Sequence, residues 1–206
     1  MTAPAATRLA SVPKTAAATT KVKKKPAYIT WEAFQRKYLA REDGHTYEWA
    51  NGKVDKNLNS MDITQLYIWD NLDTFFKSLS LQKALSGKLM AEVDILLSAI
   101  THRRPDVAFF TKEQIRNGRN DQIQVPAFVA EIISPNDSAN RVSRKTQEYF
   151  AAGVQVVWNI YPSLQEVHVY ESPSAARICR GDETCSAEKA IPGFALPVSA
   201  ILKIDA

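Results

Sequence analysis

The 206-residue sequence predicts an α/β domain, and three observations carry that expectation. Apolar runs short enough to be strands, at 107–110 and 128–133, alternate with a segment of helical period at 63–79. The dipeptide Asn51-Gly52, favoured in two-residue hairpin turns, separates two stretches that read as strands. Residues 137–153 carry helix punctuation at both ends, with Asp137 or Ser138 as N-cap and Gly153 as the stop.

Residues 1–26 hold Arg8, Lys14, Lys21, Lys23, Lys24 and Lys25 without an acid, among Ala and Thr that offer little to bury. We read them as a disordered basic tail, with one domain over 27–206. The net charge of +4 therefore misleads, because removing the tail leaves 20 basic residues against 22 acidic ones. DNA contacts would fall to the tail or to local clusters such as Arg103, Arg104, Arg116, Arg119, Arg141 and Arg144. The tail lacks the apolar core of a secretory signal and the amphipathic pattern of a transit peptide, so the cytoplasm is the default compartment. Nothing approaches the roughly 20 apolar residues of a membrane span. Cys179 and Cys185 match no metal-ligand spacing, so neither a zinc site nor a required disulfide is expected.

Thr30 is placed to cap a first helix running to Leu39. The hairpin follows at 47–50 and 53–56. Alternation sets Glu48 on the face of Thr46 and Ala50, leaving open whether that face meets sheet or solvent. In the helix at 63–79, Leu66, Trp69, Leu72, Phe76 and Leu79 form the expected core stripe. Strands are predicted at 88–97, 107–110, 128–133, 154–160 and 166–170. Asp94 lies inside the first of these, where it either joins a site or makes a structural hydrogen bond. Trp158 and Tyr161 read as packing residues, and His168 as an outward strand residue. On the helix at 137–153 the inward stripe is Val142, Thr146, Tyr149 and Phe150, and Lys145 falls about 60° from its centre at about 100° per residue.

The chemistry starts at Arg104-Pro105-Asp106-Val107 and at Glu131, inside the apolar run Ala127-Phe128-Val129-Ala130-Glu131-Ile132-Ile133. A carboxylate in a strand buried on both faces is costly unless a cation or hydrogen bonds hold it. Its candidate partners are Asp106, a divalent metal and Lys145. Each residue also has a plainer role: Asp106 as a turn acid after proline, Glu131 paired with a core arginine such as Arg104, Lys145 as a snorkelling helix residue.

Together these segments resemble the Uma-type restriction endonucleases, a branch of the PD-(D/E)XK nuclease superfamily. The resemblance begins at Tyr47-Glu48-Trp49-Ala50-Asn51-Gly52-Lys53-Val54 and passes through Arg104–Phe109 and Val129–Pro135. It continues through Lys145, Tyr149, Ala152-Gly153-Val154 and Trp158 to Ile191-Pro192-Gly193-Phe194, covering roughly residues 28–203. It implies a restriction-endonuclease-like core, a mixed central β-sheet flanked by helices with an N-terminal β-hairpin, and DNA phosphodiester hydrolysis. It further implies Asp106 and Glu131 as metal ligands, Lys145 as the charge-stabilising cation and Glu48 as a supporting acid. In the parent superfamily the lysine lies two residues after the second acid, where this chain has Ile133; Lys145 matches a variant in which it has moved to the next helix. Gln65 stands where the family often has histidine, and Tyr161-Pro162 replaces a common acid.

Hard carboxylate oxygens favour magnesium, with manganese the alternative. Such an ion activates water and stabilises an oxyanion, and a lysine beside carboxylates stays charged and suits a phosphate contact. Cutting both strands of a duplex would suit a homodimer. The competing expectation is a catalytically silent nuclease fold that binds nucleic acid or protein.

Overall fold

The computed structural model describes residues 28–58, 63–83, 85–118 and 123–204. The basic tail and Arg119 lie outside the described residues. In chain order the elements are α1 (Trp31–Phe34), β1 (His45–Ala50), β2 (Lys53–Leu58), α2 (Ile63–Lys83), β3 (Gly87–Ala91), β4 (Ile95–Ser98) and β5 (Thr101–Arg103). There follow β6 (Val107–Thr111), α3 (Lys112–Gly118), β7 (Phe128–Ile132), α4 (Ala139–Ala152), β8 (Val156–Tyr161) and β9 (Glu166–Ser172). The chain closes with β10 (Ala175–Arg180), β11 (Thr184–Ser186), β12 (Ala195–Pro197) and α5 (Val198–Ile201).

A six-stranded sheet of order β10-β9-β8-β7-β6-β3 forms the centre. Its pairs are antiparallel except β7 with β8, which run parallel and are joined through α4. The sheet is therefore mixed, as expected. A second sheet, β2-β1-β5-β4, extends the predicted hairpin into four strands. At the hairpin tip Asn51 and Gly52 both take positive φ, at 50° and 76°, as a two-residue turn matching strand twist requires.

Strand alternation sorts the central sheet's side chains into two cores. Phe128, Ala130 and Ile132 share one face with Trp158, Ile160 and Phe194, covered by Ile68, Leu72, Phe76 and Leu79 of α2. Val129 and Val157 share the other with Ala108, Phe110 and Tyr149. Glu131 alternates with the first set, so the same pleat that buries Phe128 against α2 turns Glu131 toward α4.

Several expectations need correction. Residues 88–97 do not make one strand: Glu92 adopts φ 46° and hands the chain from the central sheet to the smaller one, leaving Asp94 between β3 and β4. Leu66 is 50% exposed, and Ile68 occupies the core stripe instead. The first helix continues beyond α1 as a π-helical turn, Gln35–Leu39. Arg103 belongs to no surface cluster, because its side chain is fully buried. The helix expected at 137–153 is α4, capped by Ser138 Oγ on the Arg141 N–H and ended by Gly153 at φ 106°. Among the described residues no helix is long and apolar enough to cross a membrane.

Candidate active site

Antiparallel pairing of β6 with β7 sets Val107 opposite Ala130, and Asp106, just before β6, lines the same cleft as Glu131, just after Ala130. Asp106 Oδ2 accepts the Ile132 N–H at 2.6 Å, which anchors it at the end of β7. The two carboxylates open onto a cleft of about 330 Å³, which Lys145, Glu92 and Arg141 also line.

Lys145 reaches in from α4. Its Nζ lies 3.0 Å from Glu131 Oε2 and 3.1 Å from Glu48 Oε1. The other Glu131 oxygen accepts the Tyr149 hydroxyl at 2.5 Å. One helical turn separates Lys145 from Tyr149, so α4 presents both donors to Glu131 from one face. Glu48, on β1, is 1% exposed and also accepts the Arg104 N–H at 3.0 Å. The open question of which way Glu48 faces is thus resolved toward the protein interior. The structure brings Glu48, Asp106, Glu131 and Lys145 together, from both sheets and one helix.

Burial and the neighbouring Glu131 charge push the Asp106 carboxyl up to about 8. Burial also raises Glu131, against the pull of Lys145, while Glu48 lies below its usual value because Lys145, Arg103 and the Arg104 N–H outweigh burial. For Lys145 burial favours the neutral amine, but Glu131, Glu48 and Asp106 more than reverse that and keep it charged. Burial and Glu131 raise the Tyr149 hydroxyl, so it stays a proton donor to the carboxylate.

Arg103, which the sequence suggested as a DNA-contact residue, instead has a structural role. Its guanidinium ties three elements: Asp55 of β2 at 2.9 Å, Glu148 of α4 at 2.6 Å and Glu48 of β1 at 3.6 Å. Its strand, β5, is three residues long and buried throughout, too short for alternation to announce a core arginine. Asp94 takes the structural alternative, holding Arg104 by two bonds of 2.9 and 2.5 Å and lying 3.2 Å from His102 Nε2. His102 and Arg104 overcome burial and bring the Asp94 carboxyl down to about 2. Arg104 is consequently no partner of Glu131. Gln65 lines the cleft at the position where the resemblance calls for histidine.

The family model described as "Putative restriction endonuclease" matches residues 31–199. The chain belongs to this Uma2 family. A solved structure titled as a "putative nuclease belonging to DUF820" from Anabaena variabilis ATCC 29413 superposes on the Uma2 chain with a TM-score of 0.70 at 19% identity. The match covers 84% of this chain and 97% of that one, and shows a shared nuclease fold. No curated protein matches the sequence.

Among the described residues no three His, Cys, Asp or Glu side chains group to hold a metal. Two carboxylates nonetheless fit magnesium, which keeps several waters and is commonly bound by one or two protein carboxylates with substrate phosphate. Burial first, and the Glu131 charge second, raise the Asp106 carboxyl, and a cation bound between the two acids would favour its ionised form.

Proposed function

We propose that this Uma2 protein is a metal-dependent DNA endonuclease acting in the cytoplasm, as a homodimer when both strands of a duplex are cut. The observation that carries the reading is Lys145: a buried ammonium held 3.0 Å from Glu131 at the floor of a cleft that Asp106 shares. Asp106 and Glu131 would hold magnesium or manganese. When bound, the ion supplies an activated water and charge neutralisation at phosphorus. Lys145 stays protonated and supplies fixed positive charge toward the phosphate oxygens, with no reorganisation needed as negative charge develops. Glu48 and Tyr149 position the machinery: Glu48 holds the ammonium from behind, and Tyr149 fixes the Glu131 carboxylate.

The occupancy of both Glu131 oxygens by protein donors favours a second reading, a silent fold that binds without cutting. One experiment separates them. Supercoiled plasmid and linear duplex are incubated with the wild type and magnesium or manganese, and metal affinity is measured by calorimetry. The enzyme reading expects cleavage abolished by Asp106→Asn, Glu131→Gln and Lys145→Ala, with metal affinity lost in the first two and retained in the third. A wild type that binds metal and DNA but cuts nothing across a broad substrate panel establishes the silent fold.

A further inference from the structure

Beside the charged cleft lies a second hollow of about 600 Å³, within the roughly 300–1,000 Å³ of small-molecule sites. The two share Gln65, Ile132, Ser134 and Asn136 as a common wall, so they form one trough. Their chemistry differs sharply. The cleft carries Lys56, Arg104, Arg141 and Lys145 with its acids, whereas every side chain lining the larger hollow is uncharged.

We propose that this hollow receives a single unpaired nucleobase of the strand whose phosphate occupies the neighbouring cleft. The polymer rests on the nuclease reading; the base site rests on the hollow itself. A nucleic acid strand is an alternation of charged phosphates and uncharged, flat, hydrogen-bonding bases, and the trough offers the same alternation. Pro162, Leu202 and Ile204 supply apolar walls, with Ile204 61% exposed and available for cover. Asn136 and Gln165 supply amides, the groups that pair with base edges. The Gln165 amide is already braced, its Nε2 donating to the Pro162 carbonyl at 2.8 Å, which leaves its oxygen to accept from a base. A paired base presents neither free faces nor a free pairing edge, so the occupant is extruded or single-stranded, at an unstacking cost of a few kcal/mol.

The test uses the full-length chain with EDTA, so that nothing is cut. Fluorescence anisotropy measures binding of a single-stranded oligonucleotide and of a series in which an abasic residue is moved through each position. The wild type is expected to lose at least tenfold in affinity at one position of the series, and a Ser163→Trp variant that fills the hollow to show less than a twofold difference there. Gln165→Met, a milder change, should reduce the discrimination without abolishing backbone binding. Equal affinity for intact and abasic strands in the wild type, or an undiminished difference in a folded Ser163→Trp, overturns the proposal. Displacement of the strand by an equal concentration of deoxynucleoside monophosphate assigns the hollow to a free nucleotide and also overturns it. Plasmid cleavage with magnesium is scored separately. A chain that discriminates against the abasic strand but never cuts keeps the base site and loses the nuclease reading. One that cuts without discriminating does the reverse.

Discussion

Asp106 is the residue whose ionisation depends most on what else is in the cleft. Burial and the Glu131 charge push its carboxyl up to about 8, against about 3.9 in an unfolded chain. Below about pH 4 both states are protonated and no penalty exists; as pH rises toward 8 the unfolded chain ionises first, and folding loses stability until the folded group also ionises. Asp106→Asn should therefore melt higher than the wild type at pH 8 in EDTA, by up to about 5 kcal/mol, and the difference should shrink to well under about 1 kcal/mol by pH 4. Differential scanning calorimetry across that range checks both halves. Adding magnesium at pH 8 should raise the wild-type transition and leave that of the variant unchanged. Lys145 has the opposite liability. Its truncation strands Glu48 and Glu131 in a buried pocket, so Lys145→Ala should lose about 3–5 kcal/mol, and Glu48→Gln in the same chain should recover part of it. Cleavage assays on Lys145→Ala consequently belong well below its lowered melting temperature.

At the scale of elements the joint between the small sheet and α4 governs the site. Arg103 and Arg104 are neighbours in sequence but opposite in placement: one is buried among Glu48, Asp55 and Glu148, the other half-exposed on Asp94. Arg103→Met should cost about 3–5 kcal/mol and lower the melting temperature by roughly 10 °C, whereas Arg104→Met should cost about 1 kcal/mol or less. Similar losses in thermal melts of the two variants would refute the joint. The helix α4 was legible in sequence because its cap, its stop and its inward stripe agree, and the strands flanking it because their runs are apolar apart from Glu131 and Asn159. The division of residues 88–97 was not, since no Gly or Pro marks it and the turn rests on Glu92 in a left-handed conformation. The strand β10 was missed for another reason: at the sheet edge, with all but Cys179 exposed, it has no alternation to show. Of the candidate site, Asp106, Glu131 and Lys145 were legible through their segments and the resemblance together, and Glu48 through the resemblance alone. Arg103, Asp55 and Glu148 were not, because an ion network spanning three elements leaves no periodic trace.

At the scale of the molecule, the cations near the cleft are, among the described residues, largely neutralised from within. Arg104 is held by Asp94, Arg141 by Asp137 and Arg144 by Asp55, so few are left unopposed for a phosphate backbone. That places weight on the six charges of residues 1–26. Deleting those residues should leave the thermal transition almost unchanged while weakening DNA binding at low salt. The slope of log affinity against log salt should become shallower by up to about 0.7–0.9 per lost phosphate contact. Filter binding over a salt series alongside calorimetry checks it; an unchanged slope would remove the tail from DNA engagement.

The buried Arg103 joint has one further consequence. Because a single guanidinium ties both hairpin strands to the helix that carries Lys145, loosening the small sheet should strip Glu48 from the lysine and leave it to Glu131 alone. On the nuclease reading, heat or denaturant should thus extinguish cleavage in step with the hairpin's own signals.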